Sequence, residues 1–193
     1  MPRPVLFFDL AGTLEARDPA TGLWGAWPGA NAMLAQLTAD FDLHLTTGDG
    51  ATGAGRTLGQ LGLRELFVGI HAGLPAGGKP FGMIAGKLGR RPEQCLAVGD
   101  STVNDTAGDS DRVASVIVDH RGGHVAPERL QAVVRELWDG ESFLAGFATV
   151  LAEADDNPES TDGLQAAALG GGCRLGWWRK TSVSRRAVVL LTG

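Results

Sequence analysis

Five polar residues in this sequence have the types and settings that chemistry on an anionic group needs. Asp9 follows the apolar run "VLFF" (Val5 to Phe8), and Thr47 closes "FDLHLTT". Lys79 stands in "GGKP", and Asp100 and Asp105 share the stretch "GDSTVND". Two carboxylates on one loop suit a hard cation such as Mg2+, which takes oxygen ligands. The Thr47 hydroxyl and the backbone N–H groups beside it, including that of Gly48, can donate to an anion. Lys79 supplies positive charge, and an aspartate such as Asp9 can act as a nucleophile or as a metal ligand. Together, metal, lysine, hydroxyl and a carboxylate aimed at phosphorus make a clamp for a phosphoryl group.

Such residues work only if the fold brings them together. "VLFF" is short, apolar and bounded by Pro4 and Asp9, as a central strand buried on both faces would be. "PGANAMLAQLTA" predicts a helix, with Pro28 near its start and Met33, Leu34 and Leu37 on one face. "FDLHLTT" predicts a strand ending at Thr47. A helix over 51–61 follows, weakened by Gly53, Gly55 and Gly59. "LFVGIH", "CLAVGD" and "VASVIVD" predict three further strands. "PFGMIAGKLG" and "PERLQAVVRELW" predict helices, the first ending at Gly89 and the second with Pro127 in its first turn. Alternating strands and helices imply an α/β fold, a doubly wound parallel sheet. Ligands of such sheets sit outside the carboxyl ends of the strands. Asp9, Thr47 and Asp100 each fall at a predicted strand end.

These motifs together resemble the haloacid dehalogenase superfamily, most of whose members are Mg2+-dependent phosphatases. "FFDLAGTL" resembles its motif I, "HLTTG" motif II, Lys79-Pro80 motif III and "GDSTVND" motif IV, and the likeness covers about residues 5–120. The resemblance implies a Rossmann-like core and a role for each residue. Asp9 would attack phosphorus and form an aspartyl-phosphate. Mg2+ would bind Asp9, the backbone carbonyl of Ala11, and Asp100, with Asp105 supporting it directly or through water. Thr47 and Gly48 would hold phosphoryl oxygens, and Lys79 would balance charge. Thr13 would buttress the turn.

The chain departs from that pattern at Ala11. The family's phosphatases carry a second aspartate there, which protonates the leaving oxygen and then activates water. A methyl group does neither, and general acid–base catalysis is typically worth about 10²–10⁴-fold. A main-chain carbonyl ligand survives the substitution. The site therefore reads as a slow or specialised phosphohydrolase, with a catalytically silent phosphate- or phosphoprotein-binding module as the alternative. "DLAGT" also resembles the motif I of phosphonoacetaldehyde hydrolases, which need a lysine Schiff base from a cap domain. This chain has three lysines, Lys79, Lys87 and Lys180, and none precedes motif III. Only 33 residues lie between Thr13 and Thr47, and 31 between Thr47 and Lys79. Neither gap holds a sizeable cap. An open site suits a phosphorylated substrate of any size, or a lid contributed by a second copy of the chain. "EARDPATGLWGAWPG" stands where the family has a mobile flap, and Trp24 and Trp27 could cover a substrate or pack on the sheet.

The 193 residues and 44% hydrophobic content suit one core-forming domain, expected over residues 1–152. "ESFLAGFATVLA" places Phe143, Leu144, Phe147, Val150 and Leu151 on one helical face against it. Residues 153–193 read as a solvated linker and a basic tail, with disorder expected there and a terminal strand from "AVVLL" as the alternative. The last 30 residues carry +5 and the remainder −10, which together give the net −5. That acidic balance does not favour nucleic acid as a partner. Cys95 and Cys173 have neither metal-site nor disulfide spacing, which fits a reducing cytoplasm. Asp9 breaks the first apolar run too early for a signal peptide, and no apolar stretch is long enough to span a membrane. His120 and His124 lack a third ligand nearby, so a solvated loop is the better reading. His44 and Cys95 read as structural.

Overall fold

A computed structural model describes residues 2–192 except 19, 107–111, 155–159, 162–163, 170–172 and 182–183; the side chains of 150–187 fall outside that description. The chain runs β1 (Val5–Phe8), β2 (Glu15–Arg17), β3 (Trp24–Ala26), α1 (Ala30–Leu37), β4 (Asp42–Thr46), α2 (Ala51–Gln60), β5 (Gly69–His71) and α3 (Phe81–Lys87). It continues through β6 (Cys95–Gly99), β7 (Ala114–Asp119), α4 (Pro127–Glu136) and α5 (Phe143–Ala154). Four strands complete it: β8 (Ser160–Thr161), β9 (Leu164–Leu169), β10 (Cys173–Thr181) and β11 (Ser184–Thr192). Among the described residues, no helix is long and apolar enough to cross a membrane.

The main sheet has the order β5-β4-β1-β6-β7-β11-β10-β9-β8. From β5 to β11 every neighbouring pair is parallel, as the alternation of strands and helices predicts. β1 lies at the middle of these six and is buried throughout. Its period of two divides the core between the sheet's faces. Leu6 and Phe8 join a cluster with Met33, Leu34 and Leu37 of α1, Leu58 of α2 and Leu130 of α4. Val5 and Phe7 join a second with Phe81, Ile84 and Ala85 of α3. From β1 the chain winds outward through β4 to β5, then crosses to β6 and β7. The winding reverses between β1 and β6, where the crevice for a ligand opens in sheets of this kind.

Between Thr13 and Thr47 lie the β2–β3 hairpin and α1, and between Thr47 and Lys79 lie α2, a short 3-10 turn and β5. Among the described residues, no cap domain stands in either gap. The two tryptophans of the hairpin segment have different fates. Trp24 is 58% exposed, whereas Trp27 is buried and donates its indole N–H to the Val125 carbonyl at 2.7 Å. With Trp27 N–H bonded to the Leu14 carbonyl, the hairpin base is fastened to the domain while its tip faces solvent.

Three expectations change. The strand expected from "LFVGIH" is confined to Gly69–His71, because Leu66 closes a 3-10 turn and Val68 points into solvent at the sheet edge. The boundary expected at 152 falls inside α5. β11 pairs in parallel with β7, where Val189 and Leu191 enter the core, so the terminal strand is part of the main sheet rather than of a separate tail. Most of the acidic linker lies outside the described residues. In α5, Phe143 and Phe147 are buried as expected.

Trp27→Phe would keep most of the buried area but strand the Val125 carbonyl. A buried group left unpaired costs about 1–3 kcal/mol. The urea midpoint should fall accordingly, and an unchanged midpoint would mean that the hairpin base contributes nothing to stability.

Candidate active site

The carboxyl ends of β1, β4 and β6 deliver Asp9, Thr47 and Asp100 to one crevice. The Asp9 N–H extends the ladder by donating to the Val98 carbonyl at 2.8 Å, which fixes its backbone against β6. The chain then turns sharply. Gly12 has φ 83°, and a Cβ there would overlap the Asp100 carboxylate, so glycine meets both a conformational and a steric demand. Gly99 meets a similar demand, since a Cβ would overlap the Asp105 side chain.

Lys79 joins the two acidic loops. Its ammonium donates to Asp9 Oδ1 at 2.6 Å and to Asp105 Oδ1 at 2.5 Å, with all three residues buried. The backbone around Lys79 is held as well. Its N–H donates to the Asn104 carbonyl at 3.0 Å, and the Gly77 N–H donates to Asn104 Oδ1 at 2.9 Å. Asp105 Oδ2 accepts the Ser101 N–H at 3.1 Å. The Ser101 hydroxyl accepts the N–H groups of Val103 and Asn104, which closes the motif IV loop on itself. Asn104 and Ser101 were not singled out from the sequence, although Ser-x-x-Asn directly after a strand is a local signal for such a turn.

On β4, the adjacent threonines separate. Thr46 donates its hydroxyl to the Phe8 carbonyl at 3.2 Å and is spent on the sheet. Thr47 is held by its N–H on the His71 carbonyl, and its hydroxyl oxygen accepts the Asp49 N–H at 3.2 Å. The Thr47 hydroxyl proton thus remains to be given to a ligand. Gly48 follows in the exposed turn.

One oxygen from each of Asp9, Asp100 and Asp105 lies within 4.8 Å of the others. Asp9 and Asp105 are buried, and Asp100 faces solvent. Three carboxylate oxygens at this spacing fit the oxygen preference of a hard divalent cation. The electrostatics agree. Burial pushes the Asp9 carboxyl up to about 6, with the neighbouring Asp105 charge adding to the rise and Lys79 opposing it. Partial burial, then Asp105, also raises Asp100. Both carboxylates are thus costly to ionise where they stand, chiefly through burial and then through the charge of Asp105.

The remaining candidates add no side-chain ligand to this cluster. Ala11 is exposed on the motif I turn. Thr13 is buried there, with no hydrogen-bond partner for its hydroxyl among the described residues. His120 packs edge-on against Trp27, and its Nδ1 accepts the Val125 N–H, which is a structural use. His44 stacks on His71, with Nδ1 3.1 Å from the other ring's Nε2. Cys95 is fully buried, and burial raises its thiol to about 12, so it is no nucleophile.

The raised carboxyl has a consequence for stability. Asp9 binds its proton more tightly folded than unfolded, so its contribution is present below the unfolded value of 3.8 and is lost as pH rises through about 6. Histidines titrate in the same range, and comparison with Asp9→Asn isolates the carboxyl. In EDTA, wild type should lose stability relative to Asp9→Asn by on the order of 1–3 kcal/mol between pH 4 and pH 7. Millimolar Mg2+ should offset that loss at pH 7 and not at pH 4. Denaturant titrations at the two pH values check this, and a flat difference would contradict it.

Comparison with known proteins agrees with this architecture. Residues 4–108 match the family model of haloacid dehalogenase-like hydrolases. No curated protein matches the sequence. A haloacid dehalogenase-like hydrolase from Xanthomonas campestris superimposes with a TM-score of 0.54 at 14% identity, covering 69% of this chain and 95% of that one. A haloacid dehalogenase-like family protein from Streptococcus pneumoniae does so with a TM-score of 0.50 at 16% identity, covering 67% and 90%. At these identities the likeness is one of fold, and the family match spans more than half the chain. With its parallel sheet, its four motifs in order and this match, the chain belongs to the haloacid dehalogenase-like hydrolases.

Proposed function

We propose that the protein is a capless Mg2+-dependent phosphohydrolase that works through an aspartyl-phosphate on Asp9. The observation that carries this reading is the buried Lys79 ammonium shared by Asp9 and Asp105, beside a third carboxylate oxygen from Asp100. Asp9, the Ala11 carbonyl, Asp100 and Asp105 would hold Mg2+. The ion would supply charge neutralisation at the phosphoryl oxygens.

The chain's own residues do the rest. Asp9, with a carboxyl at about 6, is ionised at neutral pH and presents its free oxygen to phosphorus. The Thr47 hydroxyl and the Gly48 N–H donate to phosphoryl oxygens, and Lys79 offsets the negative charge that Asp9 and the phosphate bring together. Nothing at position 11 gives a proton to the leaving oxygen. The reaction therefore depends on leaving groups that depart without one, such as acyl and aryl phosphates. Attack on the aspartyl-phosphate by water is unassisted in the same way.

That exposed methyl also favours a second reading, a phosphate-binding module without turnover. Phosphate release with Mg2+ decides between them. Wild type should hydrolyse acetyl phosphate and p-nitrophenyl phosphate well above simple alkyl phosphates, and Asp9→Asn should abolish both activities. Ala11→Asp should raise turnover of alkyl phosphates by about 10²–10⁴-fold and flatten the dependence on leaving group. Saturable binding of a phosphate ester, with wild type and Asp9→Asn equally inactive on every substrate, would favour the binding module.

A further inference from the structure

A cavity of about 730 Å3 opens beside the acidic cluster, with Gly12 and Asp100 among its walls. That volume suits a small molecule. One wall is the hairpin, which contributes Arg17 and Trp24, cross-strand partners in β2 and β3. The end of β7 and the loop after it also line the cavity, with Asp119 and Arg121. This space is not needed to hold a phosphoryl group, because Thr47 and Lys79 lie outside it.

The polar groups of the cavity are unequally spent. Asp119 accepts three N–H groups from Arg121: the backbone N–H at 3.0 Å, Nε at 2.8 Å and Nη2 at 2.7 Å. Asp18 accepts the N–H groups of Ala20 and Thr21, both at 2.8 Å. The acids away from the Asp9, Asp100 and Asp105 cluster are thus engaged by donors of their own loops. The guanidinium groups keep donors in hand. Arg17 gives its Nε to the Gly22 carbonyl at 2.6 Å, which braces the side chain across the hairpin tip. Its Nη1 and Nη2 have no acceptor among the described residues, nor does Nη1 of Arg121. Two guanidinium groups, each anchored at one edge, therefore line the same cavity, together with the exposed Trp24.

We infer that this cavity receives the leaving group of a small phosphate ester carrying a second anionic group, a carboxylate or another phosphate, read by Arg17 and Arg121. The inference rests on the phosphohydrolase reading of Asp9, since that reading puts the ester's phosphoryl group at the acidic cluster beside the cavity. Arg17 keeps its Nη1 and Nη2 fork, which matches two oxygens of a planar carboxylate or a phosphate at once, and Arg121 adds the donors of Nη1. A neutral alcohol would leave the same donors unused.

Binding measured by calorimetry with Mg2+ at physiological salt tests this without requiring turnover. Two pairs of probes separate the sources of the second anion. 3-Phosphoglycerate against glycerol 3-phosphate reports a carboxylate, and fructose 1,6-bisphosphate against fructose 6-phosphate reports a phosphate. The two-anion member of at least one pair should bind about tenfold more tightly, and Arg17→Gln or Arg121→Gln should shrink that gap to within about threefold. Equal affinities in both pairs, a gap that survives both substitutions, or no binding of any probe would overturn the inference. Phosphate release that does not depend on Asp9 would sink the hydrolase reading alone and leave this binding preference standing.

Discussion

The ammonium of Lys79, buried between Asp9 and Asp105, is the contact on which the site's arrangement depends. Two unit charges about 4 Å apart interact by roughly 4 kcal/mol in the partly screened setting near a protein surface. Three carboxylates gathered as closely as these therefore need positive charge. Lys79 supplies one unit, which leaves the cluster two short, a deficit that a divalent cation would match. Burial, and after it the Asp105 charge, pushes Asp9 up to about 6, which Lys79 only partly opposes. Much of the local fold follows from placing this one lysine. Asn104 holds the backbone on either side of it, Ser101 shapes the loop that carries Asp105, and Gly12 and Gly99 leave room for Asp100 and Asp105.

Ala11 is the other constraint, and it acts by subtraction. The charge-handling part of the site is intact, while the turn after Asp9 offers no proton carrier at position 11. Under the proposed chemistry such a site would bind and transfer a phosphoryl group more readily than it would complete hydrolysis. Its range is then set by the leaving group, which the proposed chemistry places in the cavity under the hairpin. The hairpin matters for that reason. Trp27 and Leu14 fasten its base, and its tip carries Arg17 and Trp24 out over the crevice.

Much of the core was legible in the sequence because Asp9, Thr47 and Asp100 each follow an apolar run. "VLFF", "FDLHLTT" and "CLAVG" are strands that the core requires, and their ends lie at one edge of a parallel sheet. Periodicity could not decide between Thr46 and Thr47, because only the pairing of β4 with β1 shows which hydroxyl meets the Phe8 carbonyl. Nor could it place β11. "AVVLL" next to basic, glycine-rich text resembles a tail until β7 offers it a parallel partner. Asn104 and Arg121 act through contacts with residues distant in the chain or through loop geometry, neither of which has a period to read. β5 proved shorter than its apolar letters suggest, since an edge strand has one neighbour and Val68 can face water.

The most direct test of the central claim is intact-protein and peptide mass analysis after brief exposure to acetyl phosphate and Mg2+. If Asp9 attacks phosphorus and Ala11 leaves the intermediate without a base, wild type should accumulate an adduct of one phosphoryl group on the peptide containing Asp9. Ala11→Asp should lose that adduct faster, and EDTA should prevent its formation. Wild type that binds Mg2+ and acetyl phosphate yet carries no adduct and releases no phosphate would contradict the account.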